Sequence, residues 1–387
     1  MNRQMLRWLP AICGALLVFF ALRHQPKTAA LRRCEYAFLT MGTQAAVKAD
    51  WPLSRREDFA GLMKEMEQRV RRVERLLSRF DPESDVSRFN AARAGEMVAV
   101  DPLTWEVAMT AARVNALSGG AFDPTVLPVL ELYDWKKTDA GDFPGDDAVK
   151  AARALTGMDK IIWQRDGMKM GKTVDGVRLD FGGVAKGLGV DVAADFLRRN
   201  GVKDAVVDIG GEQRLLGRAS GRDESVEHRS PASGADAGKA GNPAGTPWAS
   251  GIRAPRDAAG RPAPRDGAGR PLLAEVLRPV GDCAIATSGD YEQYFMWQGK
   301  QYSHIVDPRT GRPLCGGVIS ASIVFPGDCM TADALATAVS VLGEKGARAL
   351  LRHFPSASAW LIVDDGKAGK MVHIPAADGT VAATAGT

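Results

Sequence analysis

Between Ser54 and Phe80 the apolar side chains Phe59, Met63, Met66, Val70, Val73 and Leu77 recur every three or four positions among charged neighbours. That period marks one stripe of an α-helix, and it predicts an amphipathic helix over the segment. Pro102–Leu117 carries a second helical pattern, opened by a proline and stopped near Gly119-Gly120. Short apolar runs at Lys160–Trp163, Gly176–Phe181, Ala205–Ile209, Ala284–Thr287, Ile319–Val324 and Ala359–Val363 read as strands. Further helices are predicted at Val184–Asn200, Thr331–Leu342 and Lys345–His353. The two kinds of element alternate irregularly, so the expected fold class is α+β.

Two stretches break this pattern. Trp8–Leu22 runs fifteen residues without a charge, flanked by Arg3 and Arg7 before it and Arg23 and Lys27 after it. A basic n-region ahead of an apolar run shorter than a membrane span of about 20 residues predicts an export signal, cleaved or retained as an anchor. The folded part is then expected in the periplasm or on the periplasmic face of the inner membrane, with residues 1–34 as leader. Leu31-Arg32-Arg33-Cys34 puts arginines where a lipoprotein box needs small residues. The second break is 220–271, with nine Gly and seven Pro among its 52 residues. A stretch so poor in apolar anchors cannot offset its ordering entropy by burial. It is expected to be a flexible insertion, with Pro247–Pro255 as a short ordered island around Trp248. A small-residue tail is read over 376–387, which leaves 35–375 as one folded unit interrupted by the insertion.

Composition agrees with a folded protein. The 387 residues are 45% hydrophobic and 25% charged, which excludes a wholly disordered chain or a polytopic membrane protein. Lys+Arg number 50 and Asp+Glu 46, so the net charge of +4 provides no basic field for nucleic acid. The five cysteines lack CxxC spacing, which argues against zinc or a redox dithiol and favours small buried residues.

Candidate chemistry sits at element ends. Asp180-Phe-Gly-Gly-Val-Ala-Lys-Gly187 joins a strand to a helix, where exposed N–H groups favour an anion and Lys186 adds a cation in the first turn. A glycine packing turn with a solvated lysine fits that pattern equally well. In Thr331-Ala-Asp-Ala-Leu-Ala-Thr337, Asp333 and Thr337 share one helix face and offer hard oxygen ligands for Mg²⁺ or Ca²⁺. On spacing alone, an N-cap at Thr331 and a dipole partner at Asp333 fit better. His304, in Tyr302–Gly311, is one of five histidines and a candidate general base, although a lone histidine between strands is more often structural. Gly120-Ala-Phe-Asp-Pro-Thr125 reads as an Asp-Pro turn on its own.

Together these stretches resemble the ApbE family of FAD:protein FMN transferases. The resemblance runs through Met41-Gly-Thr43, Leu77–Asp81, Ser84–Asn90, Gly120–Val126, Asp180–Gly187, Val207–Glu212, Ala286–Tyr291, Ser303–Pro313 and Ala332–Thr337, in the family's order. It implies an α+β, T-fold-like bilobal fold with FAD in the cleft between lobes. It also implies an enzyme that cleaves the FAD pyrophosphate, attaches FMN through a phosphoester to a Thr or Ser of a partner protein and releases AMP. The acceptor is expected to be a subunit of a membrane redox complex.

On that resemblance Met41, Phe80, Ala121, Phe122, Asp123, Asp180, Lys186, Leu188, Ser288 and Val306 would lie around FAD. Mg²⁺ (or Ca²⁺) would be held by Asp333, Thr337 and the carbonyl near Ala185. Lys186 would stabilise phosphate charge, and His304 would be the base, with Asp307 as its orienter or rival. Ala336 stands where some members carry a second acid, and Leu188 where many carry an aromatic. The alternatives are an FAD pyrophosphatase giving FMN and AMP, and a non-catalytic FAD carrier.

Overall fold

The computed structural model describes residues 31–133, 143–217, 225–226, 249–253, 273–279, 281–289, 294–366, 369–380 and 383–385. Its centre is an eight-stranded sheet: β1 (Leu31–Thr40), β2 (Thr43–Pro52), β3 (Ala205–Ile209), β4 (Glu212–Leu216), β5 (Cys283–Gly289), β6 (Val318–Phe325), β7 (Ser358–Val363) and β8 (Lys370–Ile374). Spatial order follows chain order, and every neighbouring pair is antiparallel. The sheet is α+β in character, since its helices come in the long connections rather than after each strand.

Among the described residues, the six helices of seven or more residues are α1 (Asp58–Leu77), α2 (Asp85–Ala91), α3 (Pro102–Leu117), α4 (Asp146–Ala154), α5 (Ala185–Arg199) and α6 (Cys329–Leu350). The stripe Phe59, Met63, Met66, Val70, Val73 and Leu77 is the buried face of α1, as its spacing requires. A 3₁₀ turn at Leu53–Arg55 takes the residues before it, so the helix starts later than the periodicity predicts. α3 has the predicted bounds, with the Asp101 carboxylate accepting from Leu103 N as its N-cap. α6 is interrupted at Gly343 (φ 69°), where the pattern divides it into two helices. Its N-cap is Asp328, which accepts from Thr331 N at 2.6 Å, so Thr331 lies inside the helix instead of capping it.

Strand alternation splits the core. Ala205, Val207, Ala359 and Leu361 face α1, α5 and α6, while Val206, Trp360 and Ile362 join Leu215, Cys283 and Leu277 on the other face. Burying each such aliphatic side chain stabilises by about 1.5–3 kcal/mol. A third, smaller core of Val129, Tyr133, Ala152, Phe295 and Val306 sits under the hairpin Tyr294–Trp297/Lys300–Ser303. Tyr133 OH donates to the Gly311 carbonyl at 2.7 Å, which fixes the loop that follows that hairpin.

The run Gly176–Phe181 is not a strand. Its backbone makes one isolated bridge, Val126 to Arg178, and is held besides by the Asn90 amide, by the Lys172 ammonium and by Pro124 O. Leu31–Cys34, read as the end of the leader, belong to β1, where Arg33 is buried against Asp50 at 2.8 Å. Residues 1–30 lie outside the described residues, and among the described ones no helix is long and apolar enough to cross a membrane. Of 220–271, Ser225–Val226 and Ala249–Arg253 pair in a four-stranded sheet with Leu273–Pro279 and Ala383–Ala385; the rest lies outside the described residues. Cys283 and Cys329 are buried free thiols, Cys34 is half-buried and Cys315 is exposed.

Candidate active site

Two tight turns bring the sheet to the site. Met41 (φ 49°) and Gly42 (φ 71°) form the two-residue turn between β1 and β2, with the positive φ at both positions that such a hairpin needs. Methionine rarely adopts this conformation, and Glu74 of α1 holds it there by accepting from Met41 N and Thr40 Oγ1, both at 2.8 Å. Beside it, Gly210-Gly211 joins β3 to β4. Gly210 has φ 63°, and an added Cβ would stand 2.7 Å from Thr43. The turn delivers Glu212 to the start of β4, pointing inward.

These turns, the N-terminus of α5, the inner face of α6 and the 304–308 loop enclose a cavity of about 620 Å³. Met41, Phe80, Ala121, Phe122, Asp123, Asp180, Ala185, Lys186, Ser288, His304, Val306, Asp333 and Thr337 all line it. Phe80 is 82% exposed at the rim, with the Arg79 guanidinium stacked 4.6 Å from its ring centre. Arg79 Nε also lies 3.0 Å from Asp180 Oδ2, while Asp180 Oδ1 accepts from Gly182 N at 2.6 Å. Asp180 therefore shapes the glycine turn and ties it to the end of α1.

Two predicted residues are elsewhere. Leu188 does not line the cavity: it is 3% exposed within the main core. Positions two apart on a helix point in different directions, so Lys186 and Leu188 cannot both face the cavity. Asp307 is also outside the lining, with Oδ1 accepting from Arg309 N and Nε and Oδ2 from Nη2, each at 2.9 Å. It organises the Asp-Pro-Arg-Thr-Gly turn through Arg309. Asp123 lines the cavity but is nearly buried; its Oδ1 accepts from Thr125 N and Oγ1, and burial raises its pKa.

Polar chemistry concentrates on the floor. Lys186 Nζ lies 3.1 Å from Glu212 Oε1 and 3.9 Å from Asp333 Oδ1, and both acids are almost wholly buried. Asp333 Oδ2 accepts from Gly187 N at 3.0 Å, and burial raises its pKa against the opposing pull of Lys186. One turn on, Thr337 Oγ1 is 3.3 Å from Ser288 Oγ. Among the described residues no group of three His, Cys, Asp or Glu stands together for a metal. A divalent cation here would draw on one carboxylate, the Thr337 hydroxyl and the Ala185 carbonyl. That all-oxygen set suits Mg²⁺ or Ca²⁺ and not a thiolate- or imidazole-seeking ion.

Gly187 makes this juxtaposition possible. A Cβ there would stand 2.5 Å from the Cys329 carbonyl oxygen and 2.6 Å from Met330 Cα, so α5 and the start of α6 cross backbone to backbone. Asp191 completes the crossing by accepting from Cys329 N (2.8 Å) and Met330 N (2.9 Å), with Arg214 Nη1 at 3.1 Å. Burial pushes its pKa up to about 7 despite those partners.

Sequence reasoning assigned no role to Glu212, Glu74, Arg79 or Asp191. Glu212, an acid directly after the Gly-Gly pair of Val207–Glu212, and Arg79, within Leu77–Asp81, do lie in stretches that carry the resemblance. Glu74 and Asp191 act across the fold and have no local pattern.

A sheet-and-helix fold with two buried acids and a lysine on the floor of a cleft, beneath a glycine turn, defines an α+β protein with a polar-floored ligand cavity. The chain belongs to the ApbE family, whose model matches residues 41–361. It is 35% identical to the FAD:protein FMN transferase of Vibrio cholerae serotype O1 over 289 residues, 74% of this chain and 75% of that protein. The FAD:protein FMN transferase of Treponema pallidum is 32% identical over 344 residues, 87% and 86% of the two chains. Among solved structures, the flavin transferase ApbE from Vibrio cholerae matches with TM-score 0.72 and 31% identity, covering 91% of this chain and all of that one. The apo flavinyl transferase ApbE of Pseudomonas stutzeri matches with TM-score 0.68 and 27% identity, covering 90% and 96%.

Proposed function

We propose that the protein transfers FMN from FAD to a Thr or Ser hydroxyl of a partner protein and releases AMP. The observation that carries the reading is the Lys186 ammonium at the N-terminus of α5, between Glu212 and Asp333, on the floor of a cavity sized for a small ligand. Family membership and the relatives' activity support it.

In this reading the hydroxyl oxygen attacks the phosphorus that carries the riboflavin, and the bond from that phosphorus to the bridging oxygen breaks. AMP leaves with the bridging oxygen, and the hydroxyl proton passes to a base. His304 lines the cavity and is the candidate base. Lys186 lines the cavity in the first turn of α5, where its ammonium would stabilise charge that builds on the phosphates. Asp180 keeps the Gly182-Gly183 turn in the shape that admits the ligand; a Cβ on Gly183 would stand 3.0 Å from Thr337 Oγ1 and 3.2 Å from Phe122. Asp333, Thr337 and the Ala185 carbonyl would hold Mg²⁺, which when bound neutralises pyrophosphate charge.

Export through the N-terminal segment, with the cavity facing the periplasm, is part of the proposal and is supported by the basic–apolar pattern of residues 1–27. The acceptor would be a subunit of a membrane redox complex. The test is AMP release from FAD with acceptor protein and Mg²⁺. Asp333→Ala is expected to abolish the Mg²⁺-dependent release while the fold persists, and release that survives in the variant without added metal contradicts the metal assignment.

A further inference from the structure

The cavity floor holds one lysine and two buried carboxylates in unequal relationships. Glu212 Oε1 is 3.1 Å from Lys186 Nζ, whereas Asp333 Oδ1 is 3.9 Å away. Asp333 is further bound through Oδ2 by the Gly187 amide. Side-chain exposure is 3% for Glu212 and 2% for Asp333, but 27% for Lys186, so all three line the cavity and the lysine is the most open to it.

Two positive charges cannot share one buried carboxylate cheaply. If a divalent cation takes Asp333 Oδ1, the lysine is repelled from that side and needs another acid to stay at the phosphate end of the cavity. Glu212 is built for this. It is fixed at the first position of β4 by the Gly210-Gly211 turn, which Asp208 steadies by accepting from Gly211 N (3.2 Å) and Gln213 Nε2 (2.6 Å). Lysine approaches from α5 and Asp333 from α6, so the three charges come from three separate elements.

We propose that Glu212 is the positioning residue for Lys186, retaining the ammonium when a divalent cation occupies Asp333, so that each cation of the cavity has its own carboxylate. The inference rests on the reading that Asp333 is a metal ligand. Without Glu212, Lys186 turns to Asp333 and competes with the cation. Weaker metal binding in a Glu212 variant therefore depends on Lys186 being present.

The test is calorimetric titration of the full chain with Mn²⁺ alone, without FAD, in wild type, Glu212→Gln, Lys186→Met, the double variant and Asp333→Ala. Glu212→Gln is expected to bind Mn²⁺ about tenfold more weakly than wild type, and the double variant to return to within about threefold of Lys186→Met. Equal affinity in wild type and Glu212→Gln, with binding lost in Asp333→Ala, overturns the inference and leaves the metal reading standing. A double variant as weak as Glu212→Gln points to structural damage instead of lysine competition and also overturns it. The same response in wild type and Asp333→Ala, binding or none, removes the metal reading and the inference with it.

Discussion

Asn90 and Leu179, 89 residues apart, hold each other through two hydrogen bonds: Asn90 Nδ2 donates to Leu179 O at 3.0 Å, and Leu179 N donates to Asn90 Oδ1 at 2.7 Å. A side-chain amide thus does for this segment what a neighbouring strand would do. Lys172, buried beside it, donates to the carbonyls of Phe89, Asn90 and Val177. Asp180 comes next in the chain, so the pair sets where the glycine turn enters the cavity. Asn90→Ala leaves two buried backbone groups unpaired and is expected to destabilise by about 1–3 kcal/mol in chemical denaturation. A loss of only a few tenths would show that water takes over the amide's role.

Gly187 and Gly61 make a paired prediction. Alanine at 187 meets backbone atoms of 329 and 330 at 2.5–2.6 Å, so α5 and α6 must part, at a cost of about 1–3 kcal/mol. Gly61 lies exposed on α1 with nothing near its Cβ position, and Gly61→Ala should stabilise by about 0.5–1 kcal/mol. Thermal denaturation of the two variants checks both signs.

The Asp191 carboxyl gives the protein a pH-dependent stability term. Its pKa rises from an ordinary 3.8 to about 7 in the fold, chiefly through burial, so between those values the folded state holds a proton that the unfolded state has lost. The associated stability is fully present below about pH 4 and fades as pH rises through about 7. Relative to Asp191→Asn, wild type should lose about 2–3 kcal/mol of unfolding free energy between pH 5 and pH 8. A wild-type-to-variant difference that does not change with pH argues for an Asp191 that is already ionised at pH 5.

His304 lines the same cavity as Lys186 and Asp333. His304→Ala is expected to lower FMN transfer by about 10²–10⁴-fold at saturating FAD and Mg²⁺. Unchanged turnover ends its role as base.

Several of the elements that frame this site could be read from local pattern. The α1 stripe and the bounds of α3 follow from side-chain period and capping, and they reappear in the structure because burial and caps act within a few residues. Spacing places Lys186, Asp333 and Thr337 on helix faces but by itself fits a packing turn and helix caps as well or better; they stand out as a site only through the resemblance of several stretches taken together. What escaped is tertiary. Gly176–Phe181 has strand composition, yet its partner is an amide from α2. Leu188 fits the family's position for a ligand contact, but helix geometry turns it into the core. Asp191 and Glu212 acquire their partners only when α5, α6 and the β3–β4 turn meet.

Transfer of FMN to another protein is what separates this activity from simple hydrolysis of FAD. Incubating the protein with FAD, Mg²⁺ and a candidate acceptor, then measuring the acceptor's intact mass, tests it most directly. The expected result is an acceptor heavier by one FMN less water, with AMP released in equal amount and the adduct lost when the acceptor Thr or Ser is replaced by Ala. FAD converted to free FMN and AMP at the same rate with or without acceptor, and no acceptor gaining mass, would contradict it.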